Sequence, residues 1–383
     1  MTHRIGPGHA SHVAIMLGWL LAYNVVLQLA GVTRTIQIWD PVILTQILNP
    51  LTILLLVLVP GDKSFLLPRG PMQALLLASV AFAAAVGLVG MLLGQAFSLR
   101  YALSALFNGA AAYVVYSLGR ALPSPIAGAP PFRLIAWAAL VAAFVSITAV
   151  IVFDRLGFVQ RFSADAYNQL LPFAYFLPGT MLAALATLLP IILSNKRGAI
   201  LMVIAVGALF VAARLGTTRI DPKRAIPLAL AALAAGVVVL AVAAPHLQNT
   251  LWPRVVGFLQ ASSLAELDVV SGGRLAELRA AFADLSPIQF LLGGGAGYFY
   301  AWEYGTEVIL QHNVHFSPAT LALRYGVPFA VVFYGVVGWV LLRGLIEARL
   351  ARWDRARLFP LLYVGGAAAY SLTAFSIHID LFF

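Results

Sequence analysis

The feature that most restricts this chain is a series of apolar stretches, each near the length needed to cross a bilayer, following one another almost end to end. As helix, the hydrocarbon takes about 20 apolar residues to span. Such stretches lie at roughly 12–31, 41–60, 72–95, 101–121, 133–153, 170–194, 198–213, 226–245, 316–342 and 359–379. Short turns such as Pro60-Gly61-Asp62 and Pro123-Ser124-Pro125 separate them. No period-two alternation points to the strands of a barrel. Of 383 residues only 10% are charged and 62% are hydrophobic, whereas a soluble domain carries about 25% charged residues. So few charges cannot cover a surface facing water. The expected fold is therefore all-α, a polytopic integral membrane protein of about ten to eleven transmembrane helices. It forms one domain over residues 1–383, with one large loop outside the bilayer at 246–315.

The net charge of +10 does not point to nucleic acid. The positive residues cluster at the ends of apolar runs, as topology determinants do, with no interleaved aromatics for base stacking. Two loops are densest: Arg214, Arg219, Lys223 and Arg224, then Arg343, Arg349, Arg352, Arg355 and Arg357. With both on the cytoplasmic side, the 246–315 loop and Lys196-Arg197 face outward. Counting back through the runs then places the N-terminus outside, whereas Arg4, Lys63, Arg69, Arg120 and Arg133 favour it inside. The stronger bias of the second half sets the orientation, which implies one miscounted span in the first half. The opening MTHRIGPGHASH has no small-residue cleavage site, so the first run is expected to be a retained span. With no cysteine in the chain, disulfides, thiolate metal sites and thiol catalysis are excluded.

Residues 271–335 hold Arg, Glu, His, Tyr and a glycine cluster together in a chain otherwise given to apolar runs. A lipid-embedded protein that keeps one polar excursion usually keeps it for a site. Ser263 and Glu266 have the spacing of a capping box, which predicts a helix start there. Leu275, Leu278, Phe282 and Leu285 form an amphipathic stripe that Ser286-Pro287 ends. The cluster Gly293–Gly297 permits tight turns and close approach of backbone to a ligand.

Each candidate residue has two readings. Arg197, in Ser194-Asn195-Lys196-Arg197-Gly198, is either a positive anchor at a helix end or a clamp whose paired donors fit phosphate oxygens. Arg274 sits on no span end; it is either a solvated charge paired with Glu277 three residues on or a second clamp on a diphosphate. His312 and His315 have i,i+3 spacing, which on a helix places both on one face. Two ligands fall short of a structural metal site, and a neutral histidine suits a general base toward a sugar hydroxyl. Glu266 and Asp268 are either a weak divalent-cation site or a solvated helix face. Neither a G-x-x-x-x-G-K-[ST] loop nor a G-x-S-x-G elbow occurs, which argues against an ATP-driven pump and an ordinary serine esterase.

Three pieces in order resemble the bacterial O-antigen ligase and Wzy-type polysaccharide polymerase superfamily. They are Lys196-Arg197-Gly198 opening a span, Gly273-Arg274 followed some twenty residues later by Gly293–Gly297, and His315 placed eleven residues before Gly326. The resemblance covers roughly 165–340. Phe316 departs from the Asn, Ser or Gln that relatives often carry after the histidine. Arg324 stands where ligases frequently carry an acid, which favours the polymerase side. The resemblance implies a metal-independent, cofactor-free glycosyltransferase of GT-C type in the bacterial inner membrane, with its site facing the periplasm. Its donor would be an undecaprenyl-diphosphate-linked glycan, its acceptor a second lipid-linked glycan or lipid A core, its neighbours the lipid bilayer and a chain-length regulator. Arg197 and Arg274 would hold the diphosphate, and His315 would bind or deprotonate the acceptor hydroxyl, with His312 in reserve. A ligase is the alternative within the family. A lipid-linked-sugar flippase or transporter is the alternative from another class, though the paired broken helices of related halves are not evident.

Overall fold

A computed structural model describes residues 10–35, 42–121, 130–156, 169–193, 197–214, 256–257, 260–283, 285–304, 307–350 and 355–373. It is mostly helical, and five helices are long and apolar enough to cross a membrane: α1 (Ala10–Thr33), α3 (Pro71–Leu92), α4 (Leu99–Ala121), the first part of α5 (Pro130–Arg155) and α13 (Val327–Leu350). Shorter apolar helices are α2 (Val42–Leu58), α7 (Met181–Leu193), α8 (Arg197–Arg214) and α14 (Arg355–Ser371). The run expected at 226–245 lies outside the described residues.

Two expected spans differ in form. The 170–194 run is split into α6 (Leu170–Phe176) and α7. Pro178 lacks the amide that would continue the helix, and the amides of Gly179 and Thr180 both turn back to the Phe176 carbonyl. The 316–342 run is split into α12 (Ser317–Tyr325) and α13 at Gly326, whose φ is +88°. A Cβ there would collide with the Leu291 carbonyl, so the break is set by a packing contact.

The chain forms two compact units. The first contains α1, α2, α5 to α8, the end of α13 and most of α14. Buried polar side chains pair inside it, as lipid-embedded helices require: Gln169 Nε2 donates to Gln28 Oε1 at 2.7 Å, and Ser146 Oγ to the Gln28 carbonyl at 3.0 Å. Arg349 donates from Nε and Nη2 to the Ala212 carbonyl at 3.0 and 2.7 Å, satisfying an orphan acceptor at the C-terminal end of α8.

The second unit contains α3, α4, the start of α13 and the described part of the polar excursion. α3 and α4 pack antiparallel across a short turn, with Gln73 near the start of one donating to Ser117 near the end of the other at 2.8 Å. The excursion holds α9 (Leu264–Ser271), α10 (Arg274–Ala283) and α11 (Pro287–Leu292), and then a hairpin, β1 (Tyr300–Tyr304) and β2 (Glu307–Gln311), before α12. The two antiparallel strands pair Tyr300 with Gln311 and Tyr304 with Glu307. This hairpin is the one departure from helix among the regular elements described, and its β-branched and aromatic residues (Tyr300, Trp302, Val308, Ile309) suit it.

Candidate functional site: a buried carboxylate holding a histidine and an arginine

Local capping aims the first site residues. Ser263 caps α9 through the Glu266 amide at 3.2 Å, as its spacing predicted. Gly272 and Gly273 both take φ +77°, a pair of left-handed residues that folds α10 back on α9. Asp268 then reaches over the turn, its Oδ1 accepting the Leu275 and Ala276 amides at 2.7 and 3.2 Å. Glu266 is bound in turn to the Ser262 amide and hydroxyl at 2.7 and 3.1 Å. Each acid of the Glu266/Asp268 pair thus has a separate capping duty, and no group of three metal-ligating residues occurs among the described residues.

The result places Arg274 at the first position of α10 and Glu277 one turn on, along the same face. Glu277 has no solvent-exposed side-chain surface. Its carboxylate accepts from Arg274 Nη1 at 3.3 Å and lies 2.8 and 3.0 Å from Nδ1 of His315. The His315 amide points at both oxygens at 3.4 Å. Tyr300 Oη shares its proton between Glu277 Oε1 at 3.3 Å and the Asn313 carbonyl at 3.0 Å. The Gln311 amide, turned so that its nitrogen faces acceptors, donates to Glu277 Oε1 at 3.1 Å. Beneath them Ala281, Trp302, Val314, Ala319 and Leu323 form an apolar floor against which Leu278, Phe282 and Leu285 of the predicted stripe pack. Thr320 Oγ1 bonds both the amide and the carbonyl of Val314, fixing the turn that delivers His315.

Burial raises the Glu277 carboxyl to about 7, with the Arg274 charge and the Tyr300 hydroxyl pulling the other way. Burial, followed by the nearby carboxylate, pushes the Tyr300 phenol up. Once Glu277 is ionised, a histidine whose Nδ1 faces it carries its proton there and has its lone pair on Nε2, the arrangement that orients a general base.

His312 stands in different surroundings. Its ring stacks on Tyr101 of α4, with centroids 4.0 Å apart and planes 13° apart. Its Nε2 lies 3.1 Å from Asn313 Nδ2, and Arg324, buried, donates to Asn313 Oδ1. Burial, then the charges of Arg324 and Arg100, lowers its pKa to about 4. The 312–316 stretch is a turn rather than helix, so the i,i+3 spacing does not put the two imidazoles on one face. The metal reading of that pair loses its geometric basis.

No family model, curated protein or solved structure matches this chain.

Of the three residues expected to act together, Arg274 and His315 meet at one carboxylate. Arg197 opens α8 in the other unit, and its side chain lies outside the described residues. The glycine cluster approaches protein closely, where a ligand was expected. Gly293 lies against the Arg324 backbone and Gly295 against Gly87 of α3, at φ +80° and +78°. Sequence reasoning missed Glu277 as the hub, and with it Tyr300, Gln311 and Asn313. The i,i+3 spacing from Arg274 was a visible signal for one of its contacts; nothing local marked its contact with His315, 38 residues away.

Proposed function

We propose that this chain is a membrane-embedded glycosyltransferase that polymerises undecaprenyl-diphosphate-linked oligosaccharide repeat units. In this reading it is a GT-C-like protein of ten to eleven spans, with its site on the periplasmic face of the bacterial inner membrane. The observation that carries the reading is the single buried carboxylate, Glu277, that holds His315 by Nδ1 and Arg274 by its guanidinium. The resemblance seen in the sequence independently names those two residues.

The geometry supports the following chemistry. The acceptor hydroxyl oxygen attacks the anomeric carbon of the donor sugar, and its proton passes to Nε2 of His315. Glu277 stabilises the imidazolium that forms, since a carboxylate beside Nδ1 favours the charged ring. The bond from the anomeric carbon to the diphosphate breaks with its electron pair on the departing diphosphate. Arg274, whose side chain keeps 41% of its surface exposed, neutralises that charge; the resemblance, and not the geometry, adds Arg197 as a second cation. Preorganised cations aimed at a leaving anion are the largest single contribution an enzyme of this kind can make. The acceptor is a second lipid-linked glycan, and a chain-length regulator is the expected partner.

Purified protein given lipid-linked repeat units releases undecaprenyl diphosphate and lengthens glycans, with and without chelator. Arg274→Ala and His315→Ala abolish product while membrane insertion persists. His312→Ala retains the reaction, because its ring is committed to Tyr101. Arg197→Lys is impaired, since a point charge lacks paired donors. Lipid crossing between leaflets with no new glycosidic bond overturns the transferase reading in favour of a flippase.

A further inference from the structure

The glycine cluster fixes the depth at which part of the excursion sits. Ser98, just ahead of α4, donates its amide to the Gly297 carbonyl at 2.9 Å, so the cluster lies on the side of the membrane where α3 ends and α4 begins. The Ala296 amide donates to the Ala83 carbonyl at 2.8 Å, and a Cβ at Gly295 would collide with the Gly87 amide. Gly87 and Ala83 precede the end of α3 at Leu92 by five and nine residues (92 − 87 and 92 − 83). At the helical rise this is about 8 and 14 Å below the end of a span about 33 Å long. With α3 taken as a span and its last turn in the headgroups, its contact with the glycine cluster falls inside the hydrocarbon.

Irregular backbone is tolerated at that depth only where protein surrounds it and its polar groups are bonded. The cluster meets the first condition throughout, and the second at three amides and at the Gly297 carbonyl. Gly293 to Gly297 are all buried. The amides of Gly293, Gly294 and Ala296 donate to the carbonyls of Gln289, Leu323 and Ala83 at 2.7, 2.6 and 2.8 Å. The helix leading into it is of the opposite kind. No residue of α11 is buried, and Ile288, Phe290, Leu291 and Leu292 are 68, 45, 60 and 43% exposed. Its one polar side chain besides the cap, Gln289, is spent closing the capping box with Ser286. The end of α11 at Leu291 abuts Gly326, the residue ahead of the span α13.

We infer that α11 and the glycine cluster form a re-entrant segment, dipping into the bilayer from the side of the excursion. The exposed face of Ile288, Leu291 and Leu292 meets lipid hydrocarbon, with Phe290 turned toward Phe282. Its occupant is the bilayer because Gly295 and Ala296, three and four residues past its end at Leu292, lie against Gly87 and Ala83 of α3, whose own Leu88, Val89 and Leu92 are exposed nearby. Water there would leave three large apolar side chains solvated on a helix of six. This inference is independent of any catalytic role.

The chain has no cysteine, so single substitutions give unambiguous label sites. Ile288→Cys and Leu291→Cys, spin-labelled in the full chain in liposomes, are compared with Leu88→Cys on α3 and Arg279→Cys on the exposed face of α10. Power saturation with oxygen and with a water-soluble nickel chelate reports the surroundings of each label. The expected result is an oxygen-to-nickel accessibility ratio at 288 and 291 matching that at 88 and well above that at 279. A ratio matching position 279 places the segment in water and overturns the inference. Low accessibility to both relaxants means that protein, such as a second copy, covers the face, and overturns it equally.

Discussion

Glu277 decides the chemistry available to its neighbours. Folding raises its carboxyl from 4.5 to about 7, so the folded chain holds that proton more tightly than the unfolded one. The corresponding stability is fully present below the unfolded value and is lost as pH rises through about 7. Activity runs the opposite way, because only the ionised carboxylate favours the imidazolium of His315. Under the proposed function, the transfer rate is therefore expected to climb across pH 7 as Glu277 loses its proton. Glu277→Gln keeps the shape and has no proton to lose. Its rate is expected to fall by about two orders of magnitude or more, the range for a general base deprived of its support. Its pH–rate rise near 7 disappears, and the thermal midpoint in detergent loses its fall between 4.5 and about 7. A merely structural glutamate would leave the shape of the pH–rate profile unchanged. The two histidines show the same principle from the other side. Three residues apart, they differ because one ring faces a carboxylate and the other a tyrosine face and two guanidiniums.

Elements here are positioned by breaks as much as by runs. Pro178 ends α6, Gly272-Gly273 reverse the chain between α9 and α10, and Gly326 separates α12 from the span that follows. Two glycines of nearly equal φ separate conformational strain from close approach. Gly94, at +77°, has open space where a Cβ would stand, whereas Gly295, at +78°, has the Gly87 backbone. Gly94→Ala is expected to lose only the left-handed penalty of about 1–2 kcal/mol. Gly295→Ala adds a collision with backbone that cannot rotate away, so it should lower the thermal midpoint several times further or yield no folded protein. Equal midpoints for the two variants would mean that the cluster does not pack on α3 as described. The sequence marked these glycines as permissive; it did not say what came close. The stripe Leu278, Phe282 and Leu285 and the Ser263 cap were legible because each depends on neighbours within one or two turns. The hairpin was not, because pairing Tyr300 with Gln311 inside a helical chain is decided by what lies beneath it.

At the scale of the molecule, orientation is the quantity the sequence speaks to most directly. α13, long and apolar enough to cross a membrane, runs from the excursion at Val327 to Leu350, where a basic sequence continues to Arg357. Positive residues are retained on the cytoplasmic side, so under the proposed localisation Arg279→Cys should react with an impermeant maleimide added to spheroplasts. Leu350→Cys, 79% exposed, should react only after permeabilisation. The reverse pattern would move the excursion, and the proposed site with it, to the cytoplasm. What the sequence alone determined is what depends on composition and short-range spacing: a membrane-embedded helical chain, where its apolar runs fall, and which excursion is polar enough to hold a candidate site. Lipid enforces that class on any chain so poor in charge, because exposed backbone must bond internally. What only the tertiary structure decided is which polar groups meet. Arg274, Tyr300 and His315 share the Glu277 carboxylate because two glycines fold one helix back and a hairpin carries the turn over it. A contact between residues 38 apart leaves no periodicity in the sequence; burial of a single charge does the selecting, since it is tolerated only where donors surround it.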